Sequence, residues 1–207
     1  MARINYFEPI CARIEELGAG EVFIISDFSD IADTTAVRKI LSRLEEDGRI
    51  RRIMRGVYDR PEYNDFLGEY VEPVPDKVAH ALARNFGWTI VPCGDTALNM
   101  LGLSTQVPAV WLYVSDGNYK EYTYNNTTIQ FKRTTNKEIS KISYRTALVI
   151  QALKALGKDK ITDEIIKKIK AATSKEERSA MFSEAKYATA WIYDIIKDIC
   201  GGTQGER

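Results

Sequence analysis

Apolar residues recur at helical spacing near the start of the chain. Between residues 6 and 17 the apolar positions fall three or four residues apart, and glycines follow directly. A short apolar run at residues 22–25 then precedes a second, shorter helical pattern, which Ser26 or Asp27 can cap. The pattern predicts a helix, an extended segment and a short helix, in that order.

A third helix and a hairpin follow. Asp33 or Thr34 can cap a helix whose apolar stripe, within residues 37–44, repeats at i, i+3, i+4 and i+7, and a glycine ends the pattern. The next segment, IRRIMRGVY, contains two short strand-like runs that turn at Arg55-Gly56. This order of elements is typical of a winged helix-turn-helix, which the sequence predicts for residues 1–61.

The remaining chain divides by its turn residues. Proline and glycine recur through residues 62–75, which we expect to be a linker. Residues 76–200 predict a helix, several strands around a short helix, and then a helical tail, whereas the GGTQGER end at 201–207 is expected to be disordered. The predicted fold class is α+β, with the winged helix-turn-helix followed by a small mixed α/β domain and a C-terminal helical bundle.

Composition alone indicates an ordinary globular protein, but its charge is uneven. The 207 residues are 44% hydrophobic and 28% charged, with a formal net charge of zero. Residues 34–60 carry eight Arg or Lys against four Asp or Glu, a net +4, while residues 1–33 carry two against seven, a net −5. A positive segment beside a negative one predicts a localised field rather than a generally basic surface.

The number of cysteines and the hydropathy of the chain indicate whether the protein binds a metal and where in the cell it is located. Three widely spaced cysteines and a single histidine disfavour a structural zinc site, so we expect reduced thiols and no metal or cofactor. No apolar run approaches about 20 residues, the length that a membrane span needs. Acidic residues also interrupt the start, where a signal peptide needs an apolar core. The sequence therefore predicts a cytoplasmic protein with no membrane partner.

The outer face of the third predicted helix, together with the hairpin, carries candidate DNA contacts. Hydroxyl and cationic side chains opposite the apolar stripe can donate hydrogen bonds in a major groove. Hairpin arginines can contact the DNA backbone or an adjacent minor groove. The candidate residues are Thr34, Thr35, Arg38, Lys39, Ser42, Arg51, Arg52 and Arg55. A solvated helix face with a structural hairpin, or a protein-docking module, is the alternative interpretation.

Two strings resemble known proteins. SDFSDIADTTAVRKILSRLEEDGRIRRIMRGVYDRP resembles the N-terminal winged-helix domain of AbiEi-type antitoxins, the transcriptional regulators of type IV toxin–antitoxin systems. PCGDTALNMLGLSTQVPAVWLYVSDG, with IQFKRT after it, is similar to the second part of a related group of bacterial proteins. The resemblance covers about Phe7 to Thr134, and the helical tail from Lys141 has no counterpart in it. It implies a regulator that binds double-stranded operator DNA of its own operon, and a second domain that opposes a nucleotidyltransferase-like toxin. Winged helices often bind inverted repeats as two copies, so a homodimer is also expected.

Other functions remain open from the residues alone. Asp116 follows a predicted strand, and Gln130 and Lys132 lie on another, in an order similar to a decayed PD-(D/E)xK nuclease. Glutamine lacks the charge that a divalent metal requires at that position, although Glu121 or Asp95 could substitute if the fold brought them near. Asp116-Gly117-Asn118 is also a typical turn. A protein-binding adaptor that uses the helical tail is a further alternative.

The second half gives no stronger catalytic pattern. PCGDTALNMLGLSTQVP lacks the lysine of a phosphate-binding loop, and His80 has no nucleophile beside it in the sequence. The predicted strands carry tyrosines interleaved with cations, which can stack single-stranded bases but more often fill half-buried strand surfaces. The tyrosines are Tyr113, Tyr119, Tyr122 and Tyr124. We therefore predict a DNA-binding regulator that is not an enzyme.

Overall fold

The computed structural model of the chain describes residues 5–135 and 139–201. Over these residues the fold is α+β, as predicted, with α-helices and three small β-sheets. Two compact units divide the chain, a first unit Met1–Gly87 and a second unit Trp88–Arg207. Apart from Gly201, the tail that the sequence predicts to be disordered lies outside the described residues.

The described part of the first unit, residues 5–87, contains three α-helices and two small sheets. In chain order its elements are α1 (Phe7–Leu17), β1 (Val22–Ile24), a 3-10 helix (Ile25–Phe28), α2 (Thr34–Glu46), β2 (Arg51–Met54), β3 (Val57–Asp59), β4 (Tyr63–Asn64), β5 (Glu69–Tyr70) and α3 (Pro75–Phe86). Strand β3 lies between β1 and β2, and both pairings are antiparallel. Strands β4 and β5 form a separate two-stranded hairpin.

The N-terminal cap and the apolar stripe of α2 both favour a helix over the same residues. The Asp33 carboxylate accepts hydrogen bonds from the backbone N–H groups of Thr35 at 2.8 Å and Ala36 at 3.1 Å, which satisfies donors that the first helical turn leaves free. The helix buries its stripe almost completely, and the stripe packs with α1 and the Phe23 and Phe28 rings in one core. Burial of one face leaves the other face of α2 in solvent.

The hairpin of β2 and β3 turns at the predicted dipeptide. Gly56 has a φ of +80°, a left-handed conformation that favours glycine and suits a two-residue turn. Met54 pairs with Val57, whereas Arg51 pairs with Asp59, and a register shift lies between Arg52 and Met54. The bulge explains why the apolar alternation along these strands is imperfect in the sequence.

Helix α3 belongs to the first unit. Its buried face packs near β1, and two of its cations contact earlier segments. Lys77 Nζ lies 2.5 Å from Glu21 Oε1, and Arg84 Nη2 lies 3.1 Å from Asp27 Oδ2 and 3.2 Å from the Val22 carbonyl. The compact units therefore divide after Gly87, whereas the sequence-based division begins the second domain at residue 76. The segment 62–75, expected to be a linker, holds the β4–β5 hairpin.

The second unit combines a sheet with a cluster of helices. Its elements are β6 (Ile90–Pro92), α4 (Gly94–Met100), β7 (Val110–Ser115), β8 (Lys120–Tyr124), β9 (Thr127–Arg133), α5 (Tyr144–Leu156), a 3-10 helix (Lys158–Lys160), α6 (Asp163–Ala171), α7 (Lys175–Glu184), a 3-10 helix (Ala185–Tyr187) and α8 (Ala190–Cys200). The sheet order is β6-β7-β9-β8, in which only β7 and β9 are parallel.

Helix α5 is the centre of the second core. Its residues 146–153 are all buried, and it packs against α4, α7 and strand β6. Side chains cap the starts of α5, α6 and α7, where Ser143, Thr162 and Ser174 each accept a backbone N–H. Within residues 5–135 and 139–201, no helix has the length and apolar character that crossing a membrane requires.

Candidate nucleic-acid interface

The outer face of α2 presents the predicted polar side chains to solvent. Val37, Leu41 and Leu44 are 0–1% exposed on the core side of the helix. The exposed residues of the opposite side follow one another at helical spacing along the 13-residue helix. They are Thr34, Thr35, Arg38, Lys39 and Ser42. The fold therefore brings these five residues onto one solvent-facing surface, here called the α2 face.

The three arginines of the β2–β3 hairpin differ in their exposure and in their contacts. Arg52 on β2 and Arg55 in the turn are exposed. Arg51 instead donates from Nε to Asp59 Oδ1 at 3.0 Å and from Nη2 to Asp59 Oδ2 at 2.6 Å, and Nη2 also reaches the Val71 carbonyl at 2.9 Å. The Asp59 side chain is 1% exposed, so Arg51 neutralises a buried carboxylate. This structural contact differs from the DNA-facing role that the sequence suggests for Arg51.

Four cations of the α2 face and the hairpin lack protein partners. Within residues 5–87, Arg38, Lys39, Arg52 and Arg55 make no hydrogen bond, ion pair or ring contact, whereas every other lysine or arginine in that range makes at least one. The partnered residues are Arg13 with Asp30, Arg43 with Asp47 and the Phe7 ring, Arg49 with Glu15, Arg51 with Asp59, Arg60 with the Glu15 carbonyl, Lys77 with Glu21, and Arg84 with Asp27. The unpartnered cations can each bind an external anion.

Acidic groups limit the positive field to part of α2. Glu46 and Asp47 are exposed at the C-terminal end of the helix, and Ser42 Oγ lies 3.4 Å from Glu46 Oε1. Asp33 carries a further charge at the N-terminal end, where it compensates the helix dipole. The middle of the helix, at Arg38 and Lys39, is therefore the most favourable place on α2 for an anion.

A protein-family model covers most of the chain. The model of DUF6088, a family of unknown function, matches residues 9–181. The chain belongs to this family. No curated protein matches the chain. Since the matched range includes most of both compact units, the α2 face and the sheet of the second unit both lie in the part shared with the DUF6088 model.

The groups considered for a nuclease have other contacts in this DUF6088 chain. Asp116 Oδ1 accepts the backbone N–H of Thr89 at 2.9 Å, and Glu121 Oε2 accepts from Gln130 Nε2 at 2.9 Å. Lys132 is exposed on β9, beside Val114 of β7. Among residues 5–135 and 139–201, no group of three His, Cys, Asp or Glu side chains is placed to hold a metal ion. The structure thus gives the nuclease hypothesis no metal centre in this range.

Polar residues of the distinctive string PCGDTALNMLGLSTQVP stabilise the DUF6088 fold. Thr96 is buried, and its Oγ1 accepts the backbone N–H of Leu112 on β7 at 2.7 Å. Asn99 Nδ2 donates to the Gln106 carbonyl at 3.0 Å, and Ser104 Oγ accepts the Gln106 N–H at 3.2 Å. These bonds attach α4 to the sheet and shape the loop that follows it, so the string is explained by packing and turn geometry.

The four tyrosines considered for base stacking do not share one exposed surface. Tyr113 and Tyr124 are buried, and Tyr122 packs edge-on against Phe131 with 6.1 Å between ring centroids. Tyr119 is exposed, and its hydroxyl accepts from Gln130 Nε2 at 2.9 Å. The strand tyrosines therefore fill the sheet surface, as the structural alternative expected.

Histidine 80 lies in a local contact within α3. Its Nδ1 is 2.9 Å from the Asp76 carbonyl and 3.5 Å from the Asp76 carboxylate, one helical turn earlier. The hydrogen bond that the Asp76 carboxylate accepts from the His80 ring raises the pKa of His80 above its ordinary value. Burial raises the pKa of the Cys93 thiol to about 11, so this thiol is a poor nucleophile near neutral pH.

Proposed function

We propose that this DUF6088 chain is a cytoplasmic DNA-binding transcriptional regulator, and that α1, β1, the 3-10 helix, α2 and the β2–β3 hairpin act as a winged helix-turn-helix. The order of these elements supports the proposal, as does the antiparallel sheet order β1-β3-β2. In this arrangement α2 is the recognition helix and the β2–β3 hairpin is the wing. The wing is short, since its turn has two residues.

The observation that carries the proposal is the set of four unpartnered cations. A guanidinium already paired with a carboxylate gives up that pair when it binds phosphate, whereas an unpaired one releases only counterions. Arg38 and Lys39 lie on the α2 face, and Arg52 and Arg55 lie on the wing. These are the two elements that a winged helix-turn-helix brings to DNA.

The proposed mechanism is occupancy of an operator. Helix α2 enters the major groove, where Arg38 and Lys39 donate to guanine or phosphate oxygens. Hydroxyls of Thr34 and Thr35 contact the backbone, and the wing arginines bind phosphates or the minor groove. Since the protein's net charge is zero, affinity depends on this local field rather than on bulk charge.

A role as the antitoxin of a type IV toxin–antitoxin system extends the proposal. Its support is the resemblance of residues 26–61 to AbiEi-type winged-helix domains. Under this proposal the chain represses its own operon through the first unit, and the second unit opposes a nucleotidyltransferase-like toxin. Co-expression with the product of an adjacent gene tests the toxin role separately from DNA binding.

Fluorescence anisotropy tests the DNA proposal. The full chain is titrated onto its own promoter DNA and onto scrambled DNA from 50 to 300 mM salt, together with Arg38→Gln/Arg52→Gln. We expect selective binding by the wild type and a loss of about 10- to 100-fold in the variant, with a salt slope shallower by about 0.9 for each phosphate contact removed.

The matched control is Lys175→Gln/Lys186→Gln, which removes two exposed cations from the second unit. This control should bind promoter DNA within about twofold of the wild type, because exposed distant charges are largely screened. An equal loss of DNA affinity in both double variants would mean that net charge, and not these particular positions, determines the binding. If Arg38→Gln/Arg52→Gln bound promoter DNA with unchanged affinity, the α2 face and the wing would not be the DNA-binding surface.

A further inference from the structure

The β4–β5 hairpin exposes more aromatic surface than any other short segment of the first unit's described residues. Phe66 is 95% exposed, Tyr63 is 51%, Leu67 is 60% and Tyr70 is 60%. Asn64 Oδ1 holds the turn by accepting the N–H groups of Phe66 and Leu67, both at 3.0 Å. The hairpin is therefore an ordered structure that presents apolar side chains outward.

The hairpin has one aromatic face and one polar face. Tyr63 and Tyr70 are cross-strand partners, and their rings meet edge-on with 5.2 Å between centroids. Asn64 and Glu69 form the adjacent pair, and successive residues of a strand point to opposite faces. The tyrosine face is thus separated from the polar face that carries Glu69.

Charge and size limit what can cover this aromatic face. Residues 61–72 contain four acidic residues and no lysine or arginine, which disfavours a nucleic acid or an anionic membrane. Each strand is only two residues long, and an isolated hairpin of this kind is marginally stable in water. Burial of the tyrosine face would stabilise it.

We propose that the β4–β5 hairpin is a self-association surface, on which a second copy of the chain packs its own tyrosine face. A two-fold interface uses the same patch on both copies. Here the aromatic face of one copy would contact the identical aromatic face of the other. Face-to-face packing of the tyrosines keeps the Asn64–Glu69 face of each copy turned outward. Carboxylates of the two copies then meet only at the rim.

The exposed area suits a weak dimer. Aromatic side chains present about 200 Å² each, so Tyr63, Phe66 and Tyr70 together expose roughly 400 Å² per copy. With Leu67 included, complete burial of these side chains in both copies would remove about 1,000 Å² of surface from solvent, which is the lower limit for a specific interface. An interface at this limit is typical of weak, transient contacts, so we expect dimerisation only at micromolar or higher protein concentration, and increasing salt should strengthen it because salt screens the rim carboxylates.

Sedimentation velocity of the full chain between 1 and 100 μM tests this surface. The wild type should show a monomer–dimer equilibrium, and Phe66→Ser/Tyr70→Ser should raise the dissociation constant at least tenfold. Tyr187→Ser is the matched control, since Tyr187 is 97% exposed in the second unit. Thermal unfolding of each variant monitors the fold, and the single variant Phe66→Ser replaces the double variant if the latter is destabilised.

Three outcomes would overturn the proposal. They are a wild type that remains monomeric at 100 μM, a dimer that Phe66→Ser leaves unchanged, and equal weakening by Tyr187→Ser. The measurement contains no DNA, so its result is independent of the regulator proposal. A DNA arm then separates the two proposals, because Phe66→Ser should retain affinity for a single half-site while the Arg38→Gln/Arg52→Gln variant loses it.

Discussion

Replacement of Arg51 by alanine separates a structural role from a DNA contact. In the folded chain both carboxylate oxygens of Asp59 accept hydrogen bonds from the Arg51 guanidinium, at 3.0 and 2.6 Å. The Asp59 side chain is 1% exposed, so Arg51→Ala leaves a buried carboxylate without its cation. The same change removes the 2.9 Å bond to the Val71 carbonyl, which holds the segment following β5.

The expected cost follows from this geometry. Removal of one partner of a buried ion pair costs about 3–5 kcal/mol, because the remaining charge is uncompensated. Arg51 is 30% exposed, so water can partly replace it, and we expect the free energy of unfolding to fall by about 2–3 kcal/mol. At roughly 2–4 °C per kcal/mol for a chain of this size, the Tm of the chain falls by about 4–12 °C.

Circular dichroism and urea unfolding measure this cost, and Arg52→Ala is the matched control. Arg52 is the next residue on the same strand, is exposed and lacks a partner among residues 5–87, so its loss should change stability by less than about 0.5 kcal/mol. Under the proposed DNA binding, Arg51→Ala at a temperature below its unfolding transition should keep the wild-type affinity for promoter DNA, whereas Arg52→Ala should bind that DNA more weakly than the wild type. An unchanged Tm in Arg51→Ala, with lost DNA affinity, would refute the structural assignment.

Three further changes test the fold and its titrating groups. Gly117→Ala should lower the free energy of unfolding by roughly 1–3 kcal/mol, because an added Cβ would lie 2.1 Å from the Trp88 ring. The raised pKa of His80 means that its stabilising contact with Asp76 is complete below pH 6.5 and is lost as pH rises through the folded-state pKa, so urea titrations from pH 5 to 9 should show a small decline that His80→Gln removes. In the variant Cys11→Ser/Cys200→Ser, which leaves Cys93 as the single thiol, this thiol with its pKa of about 11 should react with Ellman's reagent at pH 8 only after unfolding, and rapid labelling of the folded variant would contradict its burial.

Local signals predicted the elements of the first unit well. The apolar stripe and the Asp33 cap define α2, and Arg55-Gly56 marks the hairpin turn, because each of these features depends on neighbours within a few residues. The exposed positions of the α2 face follow from the same stripe. For this reason the sequence alone predicts that Arg38 and Lys39 face solvent, and both are exposed in the structure.

Contacts between distant residues account for what the sequence did not predict. Arg51 and Asp59 are cross-strand partners only because a bulge sets the register of β2. The place of α3 in the first unit depends on contacts such as Lys77 with Glu21, which are 56 residues apart. The β4–β5 hairpin lies within the segment 62–75 for which the sequence predicts a linker, because strands of two residues are too short to give an alternating pattern.

Charge pairing across the first unit explains how a neutral protein can present a positive surface. The segment 1–33 is acidic, and four of its acidic residues pair with cations from other parts of the unit or within the segment, as Glu15 does with Arg49 and Glu21 with Lys77. These pairs neutralise arginines and lysines that support the fold. The cations that remain without partners in residues 5–87 lie on α2 and on the β2–β3 hairpin. A sum of charges along the sequence cannot distinguish the two groups, since only the folded chain determines which cations are neutralised internally and which are available to an external anion.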